Sequence, residues 1–146
     1  MKSPSIHYRL RDYKETFKFE REHPKELRWD DRYKLYQLTE AENVQGIWMK
    51  DGNTVIGEAI LSWESKNVIR IDSFTILPEH RGKGLGYILI KAAIDWAAQS
   101  EYEWLIGEAR KGPSWHIFEN FGATPIFSYK DWNGTKEEYM FFKLEL

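Results

Sequence analysis

The sequence predicts a single α+β domain, α/β-like in character, with one mixed and mostly antiparallel central sheet of about six to seven strands flanked by helices. Three observations carry this reading. The 146 residues amount to one domain of ordinary size, and no linker, internal repeat or low-complexity segment divides residues 1–146. Short runs of period-two alternation, separated by Asp-Gly, Asn-Gly and Pro signals, read as strands and hairpins. Between them lies one long stretch with helical apolar spacing.

The elements follow in order. Ile6 to Leu10 alternates as a short strand. Residues 12 to about 38 are highly charged, with Tyr13, Phe17, Trp29, Tyr33 and Tyr36 at spacings that suit amphipathic helices broken near Pro24. Val44–Lys50, the turn Asp51-Gly52-Asn53 and Val55–Ser62 form a hairpin. A second turn at Glu64–Asn67 leads into Val68–Leu77, a long strand ended by Pro78. Leu85, Ile88, Leu89, Ala92, Ala93 and Trp96 then recur at helical intervals, giving a helix that runs to about Gln99. Ile90 and Ile94 widen its apolar face, so much of this helix is expected to be buried. Trp104–Ala109 reads as a strand, and Pro113–Asn120 as a short helix stopped by Gly122. Pro125–Trp132, Asn133-Gly134 and Glu138–Leu146 close the chain with another hairpin.

Charge and composition narrow the function. The formal net charge is -2, without the basic footprint of a nucleic-acid binder. Residues 51–146 carry 14 acidic against 10 basic side chains, which suits a cationic small molecule. With no cysteine, a disulfide framework, thiolate metal ligation and a Cys nucleophile are excluded. Apolar runs fall short of the ~20 residues of a membrane span, and Met1-Lys2-Ser3-Pro4 opens no signal peptide, so a cytoplasmic protein without membrane association is expected. His7, His23, His80 and His116 show no metal-ligand spacing, and no metal is expected. His80, in a loop, is expected to be exposed. The 7 Trp, 8 Tyr and 8 Phe serve either a core or a cleft.

The most informative stretch is Pro78-Glu79-His80-Arg81-Gly82-Lys83-Gly84-Leu85-Gly86-Tyr87, between a strand and an apolar helix. Glycines let backbone approach a ligand, and a helix start offers unpaired N–H groups at the positive end of its dipole. With Arg81 and Lys83 this makes a site for phosphate oxygens. The Walker pattern fails because Gly84 follows Lys83. The dinucleotide pattern fails because the Gly84–Gly86 interval is too short. The plain alternative is a glycine connection that only permits tight strand–helix packing.

Arg81-Gly82-Lys83-Gly84-Leu85-Gly86 resembles the Arg/Gln-x-x-Gly-x-Gly/Ala acetyl-CoA loop of the GCN5-related N-acetyltransferases (GNAT). Phe74-Thr75-Ile76-Leu77-Pro78-Glu79-His80 before it and the Tyr87–Ala98 helix after it are similar to that family. Ile117-Phe118-Glu119-Asn120-Phe121-Gly122-Ala123 resembles its Leu-Tyr-Glu-Lys-Leu-Gly-Phe helix end. Order and spacing agree from about residue 44 to 130, whereas the N-terminal helices match only in type. The resemblance implies a single GNAT-like domain over residues 1–146 with acetyl-CoA as cosubstrate. It assigns the pyrophosphate to Arg81, Gly82, Lys83, Gly84, Leu85, Gly86 and Tyr87. It pairs the pantetheine arm with main-chain groups of Phe74, Thr75 and Ile76, beside a sheet that opens into a V where the thioester lies. Phe118 stands where many members carry the Tyr that protonates the departing thiolate, and Lys111 where an Asn is common.

An amine attacks a thioester only as the free base, and an alkyl ammonium titrates near ~10.4, so a proton acceptor is required. Strict alternation puts Arg70, Asp72, Phe74 and Ile76 on one face of their strand and Ile69, Ile71, Ser73, Thr75 and Leu77 on the other. The family's base often comes from this strand, which selects Asp72; the alternative is a structural ion pair with Arg70. Glu58 shares the Asp72 face if the intervening turn pairs residues of equal parity, and a one-residue shift separates them. It is then a second base, a binder of the amine, or a solvent-facing strand residue. Glu108 ends the next strand, as a substrate or surface group. A thiol pKa near ~8.5 makes the acid useful rather than essential, and the hydroxyl of Ser114, one turn before Phe118, or a bound water stands in for it, unless Ser114 caps its helix.

Three functions fit in different degree: direct N-acetyl transfer in a ternary complex, a non-catalytic CoA-binding module, and another phosphate-binding enzyme, which the failed loop patterns oppose. The acceptor is a small-molecule or peptide amine. Trp63 is placed to stack against it. Exposed strand edges leave room for a homodimer that nothing in the sequence demands.

Overall fold

A computed structural model describes residues 4–10, 44–130 and 137–146. The predicted helices of residues 12–38 and the Asn133-Gly134 turn lie outside the described residues. Seven strands form one sheet: β1 (Ser5–Leu10), β2 (Val44–Asp51), β3 (Thr54–Ser65), β4 (Val68–Ile76), β5 (Trp104–Arg110), β6 (Thr124–Lys130) and β7 (Glu138–Glu145). Among the described residues two helices follow their predicted bounds, α1 (Leu85–Gln99) and α2 (Pro113–Asn120), and a 3-10 turn covers Pro78–His80. The strand order is β1-β2-β3-β4-β5-β7-β6. Among the described strands only β4 and β5 pair in parallel, as the crossover through α1 requires. Among the described residues no helix is long and apolar enough to cross a membrane.

The β2–β3 loop turns at Gly52, whose φ of +61° suits a two-residue hairpin loop. Helix α1 buries Leu85, Leu89, Ile90, Ala93 and Ala97. Ile90 is buried as the wide apolar face implies, whereas Ile88 of the predicted stripe is 43% exposed. Against α1 and α2 together the sheet presents Ile47, Met49, Ala59, Leu61, Ile69, Ile71, Leu105, Phe142 and Leu144, all in one core cluster. Each of the larger side chains removed from water contributes ~1.5–3 kcal/mol.

Strand β4 is not a regular strand. Ile60 pairs with Ser73 but Leu61 with Ile71, so Asp72 is an extra residue, a β-bulge. The bulge advances the alternation by one. Ile69 and Ile71 face the core before it; after it Ile76 joins the core and Phe74 packs against it. The expected shared face of Arg70, Asp72, Phe74 and Ile76 is thus corrected: Phe74 and Ile76 turn toward the helices. Arg70, paired with Ser62, remains on the opposite face.

Candidate functional site

Beyond the bulge the sheet divides. The β4–β5 ladder runs from Val68↔Trp104 to Ile71↔Gly107 and stops, although both strands continue. The rest of β4 stays paired with β3 as far as Gly57↔Ile76, and the rest of β5 stays with β7 as far as Arg110↔Tyr139. A wedge opens between Phe74, Thr75 and Ile76 on one arm and Glu108 to Arg110 on the other. At the vertex Gly107 lies so close to Ile71 that a methyl group there would sit 2.6 Å from Ile71 Cγ2.

The glycine loop closes one end of this wedge. Gly82 and Gly84 hold φ of +78° and +75°, where a side chain is strained, yet nothing lies within 4 Å of a methyl group placed at either. Their glycines serve the backbone path rather than the space. Gly86 serves packing: a methyl group there would meet Ile117 Cδ1 at 3.0 Å, so its absence lets α1 approach α2. Gly84 is the N-cap of α1, and no side chain caps that end. The first-turn amides of Leu85, Gly86 and Tyr87 therefore point outward without intrahelical acceptors, an arrangement that suits an anion. Lys83 is exposed beside them. Arg81 reaches back: its Nε donates to the Ile76 carbonyl at 2.8 Å, tying the loop to the end of β4. Tyr87 accepts a hydrogen bond from Asn120 Nδ2 and packs on Phe121. His80 is half-buried rather than exposed, and its Nδ1 has no hydrogen-bond partner among the described residues.

Phe118 is 1% exposed. Its ring stacks on Phe142 at 4.4 Å and meets Phe74 edge-on at 5.7 Å, so it forms the floor between α2 and the β4 arm. Ser114 is half-buried one turn earlier. The expected Ser114 cap is corrected: Gly112 is the N-cap of α2, Pro113 begins it, and no side-chain cap bond forms. Lys111 instead joins β5 to β7, its amide donating to the Glu138 carbonyl at 2.8 Å.

The carboxylates lie on the sheet face opposite α1. Glu58 is 1% exposed, pairs across the strand with Thr75, and its Oε2 accepts a 2.5 Å hydrogen bond from Trp48 Nε1. Asp72 forms the ion pair with Arg70, whose Nε lies 3.5 Å from its Oδ1. Arg70 Nη2 also donates to Glu108 at 3.2 Å, and Tyr129 donates to the other Glu108 oxygen at 2.6 Å. Glu108 is thus partly exposed and held from two sides at the wedge. Because Glu58 faces Thr75 and Asp72 is the bulge residue, equal parity does not carry through from one to the other. Trp63 is 49% exposed near the far end of β3. Sequence reasoning missed Trp48 and Tyr129. Their only sequence signal is alternation within their strands, which does not name a cross-strand partner.

The sequence matches the acetyltransferase (GNAT) family over residues 7–123. No curated protein matches it significantly. The fold is similar to that of an IAA acetyltransferase from Bacillus cereus, at 16% identity, 99% and 100% coverage of the two chains, and a TM-score of 0.76. It is similar to the ribosomal-protein-S18-alanine N-acetyltransferase of Escherichia coli, at 14% identity, coverage of 97% and 93%, and a TM-score of 0.75. A third structure, an Elizabethkingia anophelis acetyltransferase with acetyl-CoA bound, shares 16% identity over all of both chains with a TM-score of 0.72.

Proposed function

The chain belongs to the acetyltransferase (GNAT) family, and on that premise we propose that it transfers an acetyl group from acetyl-CoA directly to a cationic amine, both substrates sharing the wedge. The observation that carries this reading is the division of the sheet past Ile71↔Gly107 next to an uncapped helix start. The fit of acetyl-CoA rests on the two left-handed glycines and the outward amides of α1, and the cofactor-bound Elizabethkingia relative is in line with it. Bound there, acetyl-CoA supplies the activated thioester. The amides of Gly82 to Tyr87, with Lys83, hold its pyrophosphate. The β4 edge at Phe74, Thr75 and Ile76 receives its arm as an added strand. Arg81 braces that edge from the loop side. Asp72 takes the proton of the amine, and Glu58 beside Thr75 draws the ammonium inward. Without a cysteine in the chain, direct attack by the nitrogen is the simplest route.

The test is thiol release from acetyl-CoA across a panel of amines: a polyamine, an aminoglycoside, amino acids and a lysine peptide. Release with at least one amine, reduced at least ~100-fold in kcat by Asp72→Asn at unchanged acetyl-CoA affinity, is the expected outcome. A second reading, a CoA-binding module without turnover, draws on Phe118, whose buried ring has no hydroxyl to give the leaving thiolate. CoA binding without release on any amine, and no effect of Asp72→Asn, would select it.

A further inference from the structure

Arg70 occupies the rung before the last of the β4–β5 ladder, paired with Ile106, and the last rung is Ile71↔Gly107. The next residue on each arm is a carboxylate, Asp72 on β4 and Glu108 on β5. One guanidinium holds both: Nε lies 3.5 Å from Asp72 Oδ1 and Nη2 lies 3.2 Å from Glu108 Oε1. Its third nitrogen, Nη1, reaches Glu64 on β3 at 3.7 Å. Tyr129 from β6 holds Glu108 from the other side through Oε2. No ladder hydrogen bond joins the arms here, so side chains set how far they diverge. Only a planar fork presents three nitrogens to three carboxylates at once, and without it those like charges repel.

We propose that Arg70 is a positioning residue that clamps the two arms of the wedge at its vertex, fixing the separation of Asp72 and Glu108 and with it the seat of the amine. The catalytic part of this inference rests on the function proposed above, whereas the clamp itself does not. Misplacing a reacting group by about 1 Å costs on the order of a hundredfold in rate, so the clamp matters to turnover before it matters to binding at the distant loop.

The absence of native cysteine allows Glu79→Cys and Lys111→Cys to carry a pair of spin labels, one just beyond the end of each arm. Arg70→Gln is expected to lengthen and broaden the distance distribution, Glu108→Ala to do the same, and the double variant to add nothing further. With the amine that gives fastest thiol release, Arg70→Gln is expected to lower kcat about tenfold or more, while acetyl-CoA affinity stays within about twofold. Arg70→Lys restores the rate only in part, because an ammonium lacks the fork. If Arg70→Gln does not fold, Glu108→Ala decides the distance. An unchanged distribution, or additive effects in the double variant, overturns the clamp. A wider distribution with unaltered kcat overturns the positioning role. Should the wild-type protein bind no acetyl-CoA, the proposed function falls and the distance measurement alone still decides the clamp.

Discussion

A methyl group at Gly107 would lie 2.6 Å from Ile71 Cγ2 and 3.1 Å from both the Ile71 carbonyl and the Phe142 ring. One of these neighbours is backbone, which cannot swing aside. Gly107→Ala is therefore expected to destabilise the fold by about 1–3 kcal/mol, read as a lowered denaturant midpoint. An unchanged midpoint would show that the vertex is looser than this packing requires. Phe118 makes the complementary case. Its ring is enclosed by Phe74 and Phe142, so Phe118→Tyr places a hydroxyl where the core has to supply a partner. A loss of about 1–3 kcal/mol with no rise in kcat is expected; a faster enzyme would mean that the ring edge does meet the leaving thiol. At this scale the chemistry of Phe118 was plain from its place in the helix-end motif. The bulge at Asp72 was not, because it depends on the register of two strands and has no signature in the strand that carries it.

The loop and helix α1 separate two uses of glycine that look alike in sequence. Gly84 sits at φ +75° with open space around it, whereas Gly86 has ordinary backbone and a neighbour at 3.0 Å. Gly84→Ala is expected to cost about 1–2 kcal/mol through backbone strain and to weaken acetyl-CoA binding, both seen in a ligand-dependent thermal shift. At Gly86 the atom met is the flexible end of Ile117, so Gly86→Ala is expected to be milder in stability. Equal effects of the two would contradict this division. The bounds of α1 were legible because apolar spacing and the glycine start are local. The exposure of Ile88 on that wide apolar face was not, since the direction of the sheet decides which apolar residues turn inward.

Across the whole molecule, β7 lies between β5 and β6, and its Phe142 joins the elements. Phe142 is fully buried, stacks on Phe118 and lies 6.0 Å from Trp115, both of α2. Phe142→Ala is expected to cost about 3–5 kcal/mol in equilibrium unfolding, more than truncation of the exposed Phe127. A small loss would mean that α2 contributes little to the common core. The sequence by itself determined the order of strands and helices, the glycine loop and the family, because period, turn chemistry and spacing are properties of neighbours in the chain. It also singled out Glu58, Asp72 and Glu108 as candidate acidic residues. Only the tertiary structure decided which of them meet. A bulge in β4, the end of one parallel ladder at Gly107 and the insertion of β7 arise from contacts between distant segments, and these bring Arg70, Asp72, Glu108 and Tyr129 together.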